Sequence, residues 1–348
     1  MKFIQLFIIV LIIFLFLYIS YRLIQKQNMR YIYEGFQEGL DSKTITNTTD
    51  KMLTMPLKQY CIKASYNSAY DGSKVTIDQL KYVMSKGCRF LDFELYLNND
   101  KVYVNYSTDP TYTTFLNTNI NEISFINVMD KIMDKSPYRK SDNKTTYEMS
   151  NPEDPLFIQL RIKSTNKDVY SKVASILENY RKQDKIYGRQ IDGNTTLKEL
   201  KNKIIIVMDK SINPKYPEEV LSPFVNIITG GNTWSSQQYS LFKNQKTKPP
   251  KTNDDFKTTN VTEMKLLMPD VSESSSNPPN PFSLIRDYGV QTIAYKFYNN
   301  DAGLILYESI FSEYQSAFVP LAYVLQFVKT KIEQQEDSNI TYGTSFVK

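Results

Sequence analysis

The chain has 348 residues, no histidine, two cysteines and a net charge of +5, with 41% apolar and 23% charged residues. These are values of a globular protein, large enough for one big domain or two ordinary ones. The missing imidazole excludes serine–histidine and cysteine–histidine catalysis and removes the usual side chain that titrates near neutral pH. Two thiols alone cannot make a zinc site, and the mild positive charge, without any aromatic-basic motif, gives no nucleic-acid signature.

Residues 3–19 are apolar apart from Gln5, and with Leu23 and Ile24 the run approaches the ~20 residues needed to cross a bilayer. A secretory signal is the competing reading, but no small-residue cleavage site follows Tyr18-Ile19-Ser20-Tyr21. The segment 1–24 is therefore expected to be a single transmembrane anchor. Arg22, Lys26 and Arg30 after it place the body on the cytosolic or virion-interior side by the positive-inside rule. Residues 25–55 are polar, with no apolar period, and read as a stalk.

From Pro56 onward strand-like and helix-like segments alternate. Tyr60 to Ser65 reads as a strand. Thr76-Ile77-Asp78-Gln79 has the form of a capping box before a helix that Gly87 stops. Gly87-Cys88-Arg89-Phe90-Leu91-Asp92-Phe93-Glu94-Leu95 reads as a second strand with two carboxylates on one side, because strand side chains alternate. Buried carboxylates are costly without a compensating cation. A third strand (Lys101 to Tyr106), a helix around Phe125 to Met133, a fourth strand (Leu156 to Ile162) and a helix from Val169 to Tyr180 follow.

Further strands are expected at Lys203 to Met208, Phe224 to Thr229, Lys265 to Met268 and Thr292 to Phe297. Asn244 to Asn260 reads as a solvated loop, Leu304 to Phe327 as the last apolar material and 331–348 as a polar tail. Cys61 and Cys88 lie in or beside core strands and are expected as buried free thiols. About eight mostly parallel strands alternating with helices over roughly 270 residues imply an α/β fold of the (β/α)-barrel type, irregular where the 90–106 hairpin occurs.

Pro56-Leu57-Lys58-Gln59-Tyr60 through Asn67-Ser68, the Gly87-Cys88-Arg89 strand with alternate acids, and Leu197 to Lys210 resemble the X region of the eukaryotic-type phosphoinositide-specific phospholipase C barrel. Asn280-Pro281-Phe282, Gly289-Val290-Gln291, Ala294 to Phe297 and Tyr323-Val324-Leu325 resemble its Y region. The likeness divides the body into an X-like part 56–210, a variable insertion 211–264 and a Y-like part 265–330.

That resemblance implies a mechanism with two histidines and a calcium ion held by an asparagine and three carboxylates. Here the histidine positions fall on Tyr66 and Asn105. Neither serves as a proton shuttle at neutral pH, so no catalytic residue is expected. The calcium-site positions fall on Asn67, Asp92, Glu94 and Arg161. A guanidinium among ligands repels Ca²⁺ and pairs with the acids instead, so the family calcium is expected to be lost and no cofactor replaces it. Of the two headgroup lysines one remains, Lys210, beside Met208, and the Y-region arginine and tyrosine fall on Leu266 and Met268.

These residues suggest a membrane-anchored pseudoenzyme acting as a binding or structural component of a virion or organelle membrane, with protein partners there or anionic lipid, and no nucleic acid. The alternatives are a divergent phosphoric diester hydrolase with a carboxylate base and Arg161 in place of metal, and a non-catalytic phosphoinositide binder. Bacterial members of the superfamily do use arginine for calcium, but they keep both histidines.

Overall fold

In a computed structural model, residues 5, 11–21, 43–107, 123–164, 166–210, 213, 219–230, 234–240, 264–270 and 276–344 are described. They fall in two compact units, Met1–Ser42 and Lys43–Lys348. In the first, residues 11–21 are helical, and Leu11 to Ile19 expose their side chains. Among the described residues no helix is long and apolar enough to cross a membrane. The rest of the expected 1–24 span, and the 244–260 loop, lie outside the described residues.

The second unit is built on strands β1 (Tyr60–Ser65), β2 (Phe90–Asn98), β3 (Lys101–Asn105), β4 (Ile123–Ser124), β5 (Tyr138–Arg139), β6 (Thr146–Tyr147), β7 (Leu156–Ile162), β8 (Ile204–Asp209), β9 (Ile227–Thr229), β10 (Trp234–Gln238), β11 (Met264–Met268), β12 (Thr292–Tyr295) and β13 (Phe318–Pro320). β1, β2, β7, β8, β9, β10, β11 and β12 pair in parallel in that order, and β12 pairs with β1. The ring is a closed eight-stranded barrel, which leaves no parallel edge. β3 and β4 extend β2 antiparallel, β13 pairs antiparallel with β1, and β5–β6 make a separate hairpin.

Helices join the strands for the reasons the pattern suggests. Ile77–Ser85 starts at Thr76, whose hydroxyl accepts from the Gln79 N–H at 3.0 Å, and buries Leu80, Val83 and Met84. Only that half of the capping box forms, since the Thr76 N–H donates to the Ala69 carbonyl at 2.7 Å instead of to the Gln79 side chain. Asn280 caps Pro281–Tyr288 and Gly289, at φ 64°, ends it. The helix Leu321–Thr344 runs on into the stretch expected to be a polar tail.

The lower half of the barrel is a ring of aromatics. Phe90, Phe157 and Trp234 lie 6.1–6.4 Å apart, and Phe318 packs 6.1 Å from Phe157. Cys61 and Cys88 are buried free thiols whose pKa values burial raises, so they are unreactive.

Residues 43–55 are not a stalk. They cross the base of the barrel, where the strands begin: Ile45 and Leu53 are buried, and the Thr46 N–H donates to the Gln315 carbonyl at 2.8 Å. The Thr48 N–H donates to Asp154 at 2.8 Å, and Leu53 accepts from the Lys198 N–H at 2.9 Å. Two apolar contacts and a few hydrogen bonds hold a segment that lacks the period of a helix or strand.

Gly87 makes that strap possible. It sits at φ +77°, and a Cβ there would lie 2.6 Å from the Ile45 side chain. Gly87→Ala is expected to destabilise the chain by about 1–3 kcal/mol from backbone strain and overpacking together. In an Ile45→Ala background the same change should cost less, leaving the backbone part. Equal costs in the two backgrounds, by urea unfolding, would show that Ile45 does not pack there.

Candidate functional site

The C-terminal ends of the strands, where a barrel of this kind places its chemistry, bring Asn67, Asp92, Glu94 and Arg161 together. Asp92 and Glu94 alternate along β2 with Phe93 turned to the other side, and register puts Glu94 beside Arg161 on β7. Both acids are completely buried and Arg161 is 2% exposed. Asn67 adopts a left-handed conformation (φ 42°) just after β1, which turns the chain so that its N–H donates to Asp92 at 2.9 Å.

Arg161 fills the space between the acids. Its Nε donates to Asp92 Oδ1 at 2.7 Å and its Nη1 to Glu94 Oε1 at 2.8 Å. Nη2 donates to the other Asp92 oxygen and to Asn67 Oδ1, the latter at 2.7 Å. The guanidinium also lies 4.6 Å from the Tyr66 ring centre, a cation–π contact. Glu94 Oε2 accepts from the Tyr96 hydroxyl at 2.9 Å and from the Ser107 N–H at 3.2 Å.

A second cation joins this cluster. Lys163, two residues beyond Arg161 on the same face, has its ammonium 3.6 Å from Glu94 Oε1. Two positive groups thus balance two negative ones within one buried layer. Burial opposes the charge on Arg161, yet Asp92, Tyr66 and Glu94 outweigh it and hold the guanidinium well above its ordinary pKa. Burial pushes the Asp92 carboxyl up, and Arg161 and the Asn67 N–H pull it back. Burial lowers Lys163 to about 8, against the attraction of Glu94.

The Lys163 value carries a sign. Unfolded, the amine has its ordinary value of 10.5; folded it has about 8. Between those pH values the unfolded chain binds more protons, so this group's contribution to stability rises with pH. Measured against Lys163→Met, the wild type is expected to gain on the order of 2–3 kcal/mol from pH 8 to 10.5. A stability difference that stays flat over this range would show that burial does not lower the Lys163 pKa and that the amine keeps its charge in the folded chain as in the unfolded one.

The remaining predicted positions are less centrally placed. Tyr66 is buried, and burial raises its phenol far above the usual value, so it is an even poorer base than an exposed tyrosine. Asn105 lies opposite Glu94 in the β2–β3 pairing, and its Oδ1 accepts from the Tyr106 N–H at 2.8 Å. Met208, Leu266 and Met268 are core residues. Lys210 is exposed at the end of β8, with its N–H bonded to the Thr229 carbonyl.

Tyrosines lie over the cluster. Tyr70 stacks on Tyr106 at 4.2 Å and meets Tyr298 edge-on at 4.9 Å, while the Lys296 ammonium lies 5.9 Å from the Tyr66 ring centre. These residues come from separate loops, and no spacing in the sequence announces them. Lys163 did have a signal, its two-residue offset from Arg161.

The donor set does not fit a calcium ion. Ca²⁺ takes six to eight oxygens at about 2.3–2.6 Å. Here the Asn67 and Asp92 side-chain oxygens and one oxygen of Glu94 already accept from a guanidinium, and the other Glu94 oxygen accepts from Tyr96 and Ser107. Among the described residues no group of three or more acidic, cysteine or histidine side chains could hold a metal.

Residues 53–210 match the family model described as phosphatidylinositol-specific phospholipase C, X domain. A search of curated proteins finds no match. Among solved structures, S. officinalis PLC21 superposes with a TM-score of 0.56 at 18% identity over 77% of this chain and 37% of that one. L. pealei PLC21 gives 0.57 at 17% identity, with the same coverage. The chain therefore spans well under half the length of these two structures, and the likeness to them is one of fold. With β1, β2, β7 and β8 of the closed barrel inside the matched segment, the chain has a phospholipase C-like phosphodiesterase fold and is similar to the phosphatidylinositol-specific phospholipase C X domain over residues 53–210.

Proposed function

We propose that this chain is a catalytically silent phospholipase C-like barrel, attached to a membrane by its N-terminal segment and used for binding or as a structural part. One observation carries the reading: Arg161 is the hydrogen-bonded counter-charge of both Asp92 and Glu94. The side-chain oxygens of Asn67, Asp92 and Glu94 are already engaged. Tyr66 and Asn105 stand where proton shuttles would be needed, and general acid–base help is worth about 10²–10⁴-fold.

The test is release of inositol phosphate from phosphatidylinositol in mixed micelles by the full chain, with Ca²⁺ and with chelator. No release above a protein-free control is expected in either condition. Turnover that disappears in Asp92→Asn or Arg161→Ala would overturn the reading and establish a divergent phosphoric diester hydrolase with a carboxylate base.

Membrane attachment rests on the exposed apolar side chains from Leu11 to Ile19. The full chain is expected to float with neutral phosphatidylcholine liposomes and a chain lacking residues 1–24 to remain at the bottom of the gradient. Flotation of the truncated chain only when anionic lipid is added would instead support a phosphoinositide-binding barrel.

A further inference from the structure

Below the ion cluster the barrel interior contains polar groups with nothing to bond. Gln159 is completely buried, and among the described residues neither its Nε2 nor its Oε1 has a partner. The indole Nε1 of Trp234, 1% exposed, and the hydroxyl of the completely buried Thr292 are likewise unpaired. Such groups are rare in folded proteins, because each buried donor or acceptor left unmade costs about 1–3 kcal/mol.

Register places all three residues on the inner face. Gln159 pairs with Asp92 on one side and Val207 on the other; Trp234 pairs with Thr229 and Met264; Thr292 pairs with Ile62 and Leu266. With the shear of 8 usual for an eight-stranded barrel, Phe90, Val207, Trp234 and Thr292 form one interior layer. Ala64, Gln159, Thr229 and Leu266 form the next, and Asp92, Asp209, Ser236 and Ala294 the one above. The unpaired groups therefore face each other across adjacent layers.

The same layers hold two small residues. Ala64 and Ala294 are direct partners in the β1–β12 pairing, and both are completely buried. Alanine at two neighbouring inner positions leaves room that the leucine, valine or isoleucine usual in such layers would fill. Room beside an amide, an indole N–H and a hydroxyl is the combination that holds buried water rather than a dry void.

We propose that the middle of the barrel is a closed polar chamber occupied by buried water, bonded to Gln159, Trp234 Nε1 and Thr292 Oγ1 and roofed by the Asp92–Arg161 layer. Water is the ligand the walls specify. They offer both donors and acceptors, and the described residues of the two layers below the roof carry no charge. The site is separate from the carboxylates, whose oxygens are all engaged from above, and it does not depend on whether the protein turns over lipid.

Two measurements on the full chain test this. A high-resolution crystal structure is expected to show water within hydrogen-bond distance of Gln159, Trp234 Nε1 and Thr292 Oγ1. Water-proton or ¹⁷O relaxation dispersion should show long-lived internal water that is reduced in Gln159→Met combined with Thr292→Val. If the chamber is hydrated, that double variant does not raise Tm, since the amide and hydroxyl it removes were already satisfied. An empty chamber, a rise in Tm on removing the two polar groups, or Gln159 bonded to protein atoms would each overturn the proposal. If the double variant fails to fold, Gln159→Glu, which keeps the size and adds a charge that needs solvation, provides the check. With water present, its pKa stays below that of a carboxyl in a dry core, so Tm changes little at neutral pH. A large loss at neutral pH that is regained in acid would count against hydration.

Discussion

Replacing Arg161 with methionine is expected to cost the fold about 3–5 kcal/mol. The change removes every hydrogen bond that the guanidinium makes to Asp92, Glu94 and Asn67, and leaves two carboxylates buried beside a single ion-pair partner among the described residues, Lys163. The burden comes from the stranded charges and not from a lost attraction alone. The triple variant Asp92→Asn, Glu94→Gln, Arg161→Met should therefore recover most of the loss, because a buried ion pair is roughly replaceable by neutral groups of similar size. Urea unfolding at neutral pH measures both. A single variant within 1 kcal/mol of wild type, on the order of what surface substitutions give, would mean that solvent reaches the acids and that the cluster does not hold the barrel mouth closed.

A second large loss is expected at the opposite end of the barrel. Arg89 is 1% exposed and donates to both the backbone and the side-chain oxygen of Asn151. Burial lowers its pKa to about 10, with Asp154 opposing the fall. Asp154 itself is raised by burial, and the Thr48 N–H and Arg89 restrain the rise. Arg89→Met should again cost about 3–5 kcal/mol at neutral pH.

The loss at the base has a pH signature. A carboxyl whose folded pKa lies above its unfolded 3.8 keeps its full contribution below 3.8 and loses it as pH rises through the folded value. Without Arg89 that folded value climbs further, so the variant is expected to recover part of its stability on acidification, relative to wild type. Asp154→Asn in the same background should abolish this recovery. A pH-independent difference would assign the loss to packing around the arginine stem instead.

The residues at the heart of the site were legible because strand periodicity is simple. Asp92 and Glu94 had to share a face, and Arg161 and Lys163 had to share one on the neighbouring strand. What periodicity cannot supply is a partner that arrives from a loop, and the Tyr70, Tyr106 and Tyr298 cover belongs to that class.

Strands β4, β5, β6, β10 and β13 escaped, the last two for related reasons. β10, Trp234–Gln238, carries serine and glutamine where a buried strand is expected to be apolar, since its inner side faces the polar half of the barrel. β13 has three residues and ends in proline, which suits a short edge strand but gives almost no pattern. The strap across the base was missed because it folds onto the barrel through Ile45, Leu53 and side-chain caps to Thr48, none of which produces a repeat. The α/β barrel class was predictable from the alternation of element types, although one ring strand, β10, was not.

The strap has a mechanical meaning. The chain joins the barrel at its base, so a pull arriving from the direction of residue 43 is met first by Ile45 against Gly87 and by Thr48 on Asp154. The charged cluster at the far end is spared until those contacts give way.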